Sequence, residues 1–412
     1  MTDDPRDQGH RGHRLLPLEQ AARLLLAEVR PLSGEEFLPL AQAVGRVLAR
    51  PVALDRPEPP VPRSAMDGYA VRSGDGADPR RLRGAVHAGT PGRAEVGAGE
   101  AVAVMTGGTV PAGADAVVPV ERARLDGELL RLDEPPEPGR HVRAAGEMGP
   151  TGRVLLEPGR RLRPEDLAAA AGCGLDPIPV RPRPRCAVLS TGDEVVPWTE
   201  RPEPHQVRDG NRLASILQLA RAGGEVVLDR HLPDRPEDLR AAAAEALAGG
   251  IDLLITIGGV SMGEKDHLPE VFADLGVERL FHGVSVQPGK PVWAGRRGPA
   301  LVLGLPGNPL SSFVILELLA APVLRRLGGE TGVPELPVFE AGRCLGEAAA
   351  KKRPRFLTAS LEPSAAGLPG VRPRPQQGSG DWTALAEADA LLALPPGARV
   401  RPGDPVEFLR LG

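Results

Sequence analysis

The chain has 412 residues, enough for about two to four domains with cores of their own. Its 50 basic and 54 acidic residues leave a formal charge of -4, which excludes a generally basic nucleic-acid binder and an acidic tail protein. No run reaches the roughly 18 apolar residues of a membrane helix. The first residues lack the apolar core of a secretory signal. Three scattered cysteines, Cys173, Cys186 and Cys344, suit neither a disulfide framework nor a zinc site. A cytoplasmic protein with no nucleic-acid and no membrane partner is expected.

Helical periodicity opens the chain. LLPLEQAARLLLAEV places Leu18, Ala21, Ala22, Leu25 and Val29 on one face, and EEFLPLAQAVGRVLA predicts a second helix after a PLSG break. From about 57 to 148, short apolar runs alternate with Gly and Pro turns and predict a small β domain. Helical texture returns at RLRPEDLAAAAGCG. Residues 14–56 and 149–182 are therefore expected to form one helical linker domain, with the β domain inserted at 57–148. Residues 183–330 repeat strand, loop and helix, which predicts a doubly wound, mostly parallel α/β domain. The tail, 331–412, predicts a small C-terminal β domain. The fold class expected is thus multidomain α/β.

Compositional bias marks some residues. Only four lysines occur, Lys265, Lys290, Lys351 and Lys352, with two asparagines, Asn211 and Asn308, and one tyrosine, Tyr69. Where Arg can replace Lys it has done so, and a lysine that persists marks a place for a compact ammonium.

Ligands of doubly wound sheets bind at the carboxyl ends of the strands. The loops expected there carry Ser190, Thr191, Gly192, Asp193 and Glu194; His231 and Asp234; Gly258, Gly259, Ser261, Gly263, Lys265 and Asp266; Lys290; and Pro306, Asn308, Pro309 and Ser311. Gly-rich turns before helices cradle anions. The carboxylates Asp193, Glu194, Asp234 and Asp266 would repel a phosphate unless a hard cation bridges them, which points to Mg²⁺. Asp234 also suits the N-cap of the helix after it. PRSAMDGYAV, with Asp67, and VMTGGTVPAGADAVVPVE, with Thr106, add hydroxyls and carboxylates on Gly loops of the β domain. No Walker loop, GxGxxG or hydrolase-triad ordering is present.

SAMDGYAV, MTGGTVPAGADAVV, STGDE, DGNRLAS, GGVSMGEKDH, PGKP and GLPGNPLSS, in this order, resemble the molybdopterin molybdenumtransferase family, called MoeA in bacteria and found as the E domain of gephyrin. The resemblance covers about residues 15–410. It implies four domains matching those above, the last barrel-like, and a homodimer. It also implies Mg²⁺-dependent insertion of molybdate into adenylylated molybdopterin with release of AMP. Molybdopterin adenylyltransferase and apo molybdoenzymes are implied as further partners. Carried over, Asp67, Thr106, Glu194 and Asp266 would be catalytic. Asp193, Glu194, Asp234 and Asp266 would hold Mg²⁺. Ser190, Thr191, Gly192, Gly258, Gly259, Ser261, Gly263, Lys265, Lys290, Pro306, Asn308 and Pro309 would bind the cofactor precursor. The chain departs from the family pattern at Met148, Gly283 and Gln287, which replace an acid and two lysines. Arg143, Arg208 and Arg212 are candidates to compensate. The departures keep an alternative in view: a catalytically impaired paralogue that binds molybdopterin or the finished cofactor and acts in its delivery or regulation.

Overall fold

The computed structural model describes residues 15–90, 94–260, 267–364 and 367–411. At its centre six strands lie in the order Glu225–Leu232, Arg185–Thr191, Leu253–Ile257, Ala300–Leu305, Trp293–Arg297 and Glu278–His282. The first four are parallel, and Trp293–Arg297 is antiparallel to both of its neighbours.

Successive strand residues point to opposite faces, so runs of apolar residues bury both. Cys186, Val188, Leu253, Ile255, Leu301 and Leu303 pack on one side against the helices Leu18–Ala27, Gly210–Arg221 and Ala321–Leu327. Ala187, Leu189, Leu254 and Val302 pack on the other against Pro236–Ala248 and Leu268–Asp274. Helices on both faces make the expected doubly wound unit. The carboxyl-edge loops after Arg185–Thr191, Leu253–Ile257 and Ala300–Leu305 are thereby held from beneath by buried strands.

The first helix is as expected, but it packs on this α/β unit rather than on a helical linker. Leu16 pairs in parallel with Val284, and the Leu32 N–H donates to the Leu327 carbonyl. The second expected helix is absent. Its residues form the strand Glu36–Leu38 and a 3-10 turn at Leu40–Gln42. Pro39 interrupts the apolar pattern, and Ile178–Val180 offers Glu36–Leu38 an antiparallel partner. A second small ladder joins Val52–Ala53 to Val154–Leu156, and the helix Pro164–Gly172 packs beside them over Ala43, Leu48, Leu162 and Ile178.

The inserted β unit is a six-stranded sheet in the order Ala116–Pro119, Gly68–Val71, Glu100–Val104, Arg80–Val86, Leu129–Leu132, Ala123–Asp126. The C-terminal strands Glu340–Cys344, Gly370–Pro373, Arg355–Glu362, Ala390–Leu394 and Pro405–Arg410 close into a barrel around Cys344, Val371, Leu392 and Phe408.

The last long helix of the α/β unit is not regular. It widens to a π-turn at Leu316–Ala320 that carries the buried Glu317. Gln218 Nε2 donates to Glu317 Oε1 at 2.5 Å, and Arg221 closes on the same oxygen from the neighbouring helix. Glu317→Ala removes the carboxylate that Arg221 and Gln218 share, leaving Gln218 only the Phe313 carbonyl, so we expect a loss of about 1–3 kcal/mol, read as a lower urea midpoint at unchanged slope. Burial, helped by Asp252, pushes the Cys186 thiol up to about 12. Cys186 should therefore resist iodoacetamide at pH 8 in the native protein and react once urea unfolds it.

Candidate active site

Turns after three neighbouring parallel strands meet at the carboxyl edge. Thr191 ends its strand half-buried, Gly192 is buried, and Asp193 and Glu194 are exposed beyond it. The Asp193 Oδ1 accepts the backbone N–H of Asp234 at 3.1 Å, which joins the first turn to the second. Asp234 does not cap its helix. The N-cap position belongs to Arg235, and Pro236 supplies the first helical residue. That frees the exposed Asp234 carboxylate to face the same solvent as Asp193.

Gly258 joins the third strand's turn to the first. Its φ of 94° is left-handed, and a Cβ there would fall 2.8 Å from Thr191 Oγ1 and 3.1 Å from the Thr191 carbonyl oxygen. Only glycine fits both constraints. A Cβ on Gly307 would sit 3.8 Å from Gly258 Cα, so the PGNP turn lies beside it. Asn211 Nδ2 donates to the Gly307 carbonyl at 2.6 Å. Pro306 is buried, while Asn308 is exposed and Pro309 half-buried at the start of the helix Pro309–Ile315. The Gly289 backbone packs against Ile315 of that helix, which places the exposed Lys290 at its flank.

Beneath this rim lies a polar network. Ser190 is 2 % exposed, and its hydroxyl donates to Asp209 Oδ2 at 2.6 Å. His231 Nδ1 lies 3.1 Å from the same hydroxyl oxygen. The hydroxyl proton is committed to Asp209, so His231 Nδ1 must be the donor. Arg212 Nε reaches Asp209 at 2.9 Å, its other arm reaches Asp229 at 2.5 Å, and its guanidinium lies over the Trp198 ring. Ser190 therefore supports the turn from below rather than facing the rim. Asp209 is not among the site residues read from sequence, although it opens the DGN segment with the scarce Asn211.

The barrel also reaches this edge, which sequence reasoning missed. The Leu310 N–H donates to the Ser379 carbonyl at 3.0 Å, and a Cβ on Gly380 would sit 3.8 Å from Asn308 Oδ1. The QGSGDW run was a signal for such a loop. Asp381 braces it by accepting the Gln377 N–H and the Thr383 hydroxyl.

Asp67 and Thr106 stand apart. The Thr106 N–H and hydroxyl donate to Asp67 Oδ1 at 2.6 and 2.7 Å and hold the carboxyl below its usual range. Both residues are exposed. Among the described residues no hydrogen bond or ion pair joins them to the α/β unit of the same chain. Ser261, Gly263, Lys265 and Asp266 lie outside the described residues. Among those described, no three His, Cys, Asp or Glu side chains gather as a metal site. The oxygen donors brought together are those of Asp193 and Asp234, with Glu194 on the same turn.

The departures have structural context. Gly283 has φ of 90°, and a Cβ there would fall 2.8 Å from Leu15 Cδ2, so the backbone disfavours a lysine. Gln287 is tied through its backbone to Pro354 and Phe356 of the barrel. Met148 is exposed, next to Glu147, which pairs with Arg143 at 2.8 Å. Arg143 and Arg212 are thus engaged with carboxylates, and Arg208 Nε donates to the Glu200 carbonyl.

Fold and site together define a four-part protein built on an α/β unit of the molybdopterin-binding type. Family profiles agree in chain order: MoeA N-terminal region (domain I and II) over residues 16–174, probable molybdopterin binding domain over 187–326, and MoeA C-terminal region (domain IV) over 346–411. The chain belongs to the molybdopterin molybdenumtransferase family. It is 36 % identical to the molybdopterin molybdenumtransferase of Synechococcus elongatus over 96 % of this chain and 100 % of that one. The enzyme of that name from Haemophilus influenzae is 34 % identical over 79 % of this chain and 81 % of its own. A crystal structure of the molybdopterin biosynthesis MoeA protein from Pyrococcus horikoshii superimposes with a TM-score of 0.83 at 26 % identity, covering 97 % of this chain and 100 % of that chain.

Gly258→Ala should destabilise the protein by about 1–3 kcal/mol, checked by urea denaturation, because the added methyl meets the Thr191 backbone in a left-handed position. Thr106→Val should raise the Asp67 carboxyl toward its ordinary value, checked by carbon-detected NMR titration. In the unaltered protein that interaction is present above the free carboxyl's pKa and is lost as pH falls through the lowered folded value.

Proposed function

We propose that this chain inserts molybdate into adenylylated molybdopterin, releasing AMP, with Mg²⁺ required. The observation that carries the reading is the convergence, on one sheet edge, of a glycine turn, three exposed carboxylates and an exposed lysine, in a chain of this family.

The parts divide by chemistry. The Gly258–Gly259 and Gly307 turns bring backbone close to the ligand's phosphate, where side chains would obstruct it. Lys290 supplies a compact positive charge to the anionic ligand. Pro306, Asn308 and Pro309 form the wall behind it, seated against the barrel loop at Ser379. Glu194, exposed on its turn, takes a proton from the water that attacks the phosphate. Asp193 and Asp234, with Asp266, would hold Mg²⁺, and an all-oxygen donor set suits that ion. When bound it would neutralise charge developing on the phosphate.

Asp67 and Thr106 complete the cleft from the other subunit of a homodimer. Support comes from their exposure beside the exposed apolar residues Met66, Met105 and Val120. Three buried free cysteines accord with a reducing, cytoplasmic setting. Molybdopterin adenylyltransferase would supply the substrate, and apo molybdoenzymes would take the product.

The test is one assay with adenylylated molybdopterin, Mg²⁺ and molybdate, following AMP release and reconstitution of an apo molybdoenzyme. Glu194→Gln should lower AMP release by about 100-fold or more with unchanged circular dichroism. Unchanged turnover would remove Glu194 from that role. A wild-type protein that binds the ligand but releases no AMP would favour delivery or regulation of the cofactor instead.

A further inference from the structure

A second charged cleft lies at the opposite edge of the α/β sheet. It is open to solvent and lies where the linker segments meet the helix ends around Ala222 and Gly328. Arg46, Arg161, Arg181, Arg183 and Arg325 line it. Arg183 and Pro184 directly precede the strand Arg185–Thr191, whose far end carries the Thr191 turn. Seven strand residues, about 20 Å, separate the two edges.

We propose that this cleft binds a small tetrahedral oxyanion and thereby clamps the linker unit to the α/β unit. Five guanidiniums face two carboxylates. Glu330, almost fully buried, takes Arg325 Nε at 2.9 Å and lies 3.7 Å from Arg161. Glu36 takes Arg46 at 2.7 Å. Arg161 also donates to the carbonyls of Arg221 and Ala222 at 2.8 and 3.2 Å. Arg181 makes only a 3.5 Å contact to the Gly34 carbonyl, and Arg183 has no hydrogen bond or ion pair among the described residues. The excess positive charge, on half-buried Arg181 and exposed Arg183, therefore lies at the mouth of the cleft, beside the engaged Arg161 and Arg325. Burial lowers the Arg161 pKa, and repulsion from Arg325 and Arg183 adds to this against the pull of Glu330. A dianion would relieve that repulsion and use the free N–H donors, because guanidinium forks match oxyanions. Among the described residues no aromatic ring lines the cleft.

The test is thermal unfolding of the full chain in phosphate against chloride at equal ionic strength. Phosphate should raise Tm by about 2–4 °C over chloride. Arg183→Gln should at least halve that rise, and Arg161→Gln with Arg183→Gln should abolish it. No rise over chloride, or a full rise in Arg183→Gln, would overturn the proposal. Arg183 is exposed and without internal partners, so its single variant serves if the double variant does not fold. A tungstate-soaked crystal should show an anomalous peak among these arginines; peaks only at the carboxyl edge would overturn it. AMP release by Arg183→Gln, measured with molybdate present and no phosphate added, should match the unaltered chain, so failure of the cleft and failure of the proposed reaction are told apart.

Discussion

Asp209 is 3 % exposed, and its carboxylate receives the Ser190 hydroxyl, the Arg212 Nε and the Arg212 backbone N–H. A charge so deep is tolerated only when hydrogen bonds satisfy it, and such charge-assisted bonds are the strong ones. Three elements are locked by that one group: the strand ending at Thr191, the helix beginning at Gly210 and, through Arg212 and Asp229, the edge strand Glu225–Leu232. The exposed rim above inherits its geometry from them. Asn211 extends the same helix start to Gly307, so the fourth loop is set by the same origin.

The rest of the rim comes from packing that only glycine permits and from a second domain. Gly258 lets two turns approach within contact distance. The barrel completes the far wall by accepting the Leu310 N–H at the Ser379 carbonyl and seating Gly380 beside Asn308. The edge is thus built by both the α/β unit and the barrel. The β unit carries its own ligand-like pair, Asp67 and Thr106, on a separate surface.

Much of this was legible in the sequence. Continuous apolar strands such as LLITI and ALVLGL announced a sheet covered on both faces, and the loops that follow them held the scarce lysine and asparagines. What escaped has physical causes. Trp293–Arg297 went unread because a short hairpin strand after PGKP has little periodicity of its own. The 35–50 segment carries helical spacing, yet Pro39 and a waiting strand at Ile178–Val180 override it. Asp234 looked like a cap because Asp before a helix usually is one; Pro236 moved the helix start by one residue. Ser190 has a ligand-like residue type, and only burial shows it to be a support. The barrel's contribution at Ser379 was hidden because pairing across some 70 residues leaves no local pattern.

The backbone of Gln287 has a mechanical consequence. Its N–H donates to the Pro354 carbonyl, and its own carbonyl accepts from Phe356, so the segment leading to Lys290 is stitched like an extra rung onto the barrel. Two residues, Pro288 and Gly289, separate that stitch from the lysine. Any rotation of the barrel about its junction is therefore transmitted to the lysine as a lever stroke, with little slack to absorb it. A protein docking on the barrel's outer wall would have a handle on the charge at the sheet edge without touching the ligand.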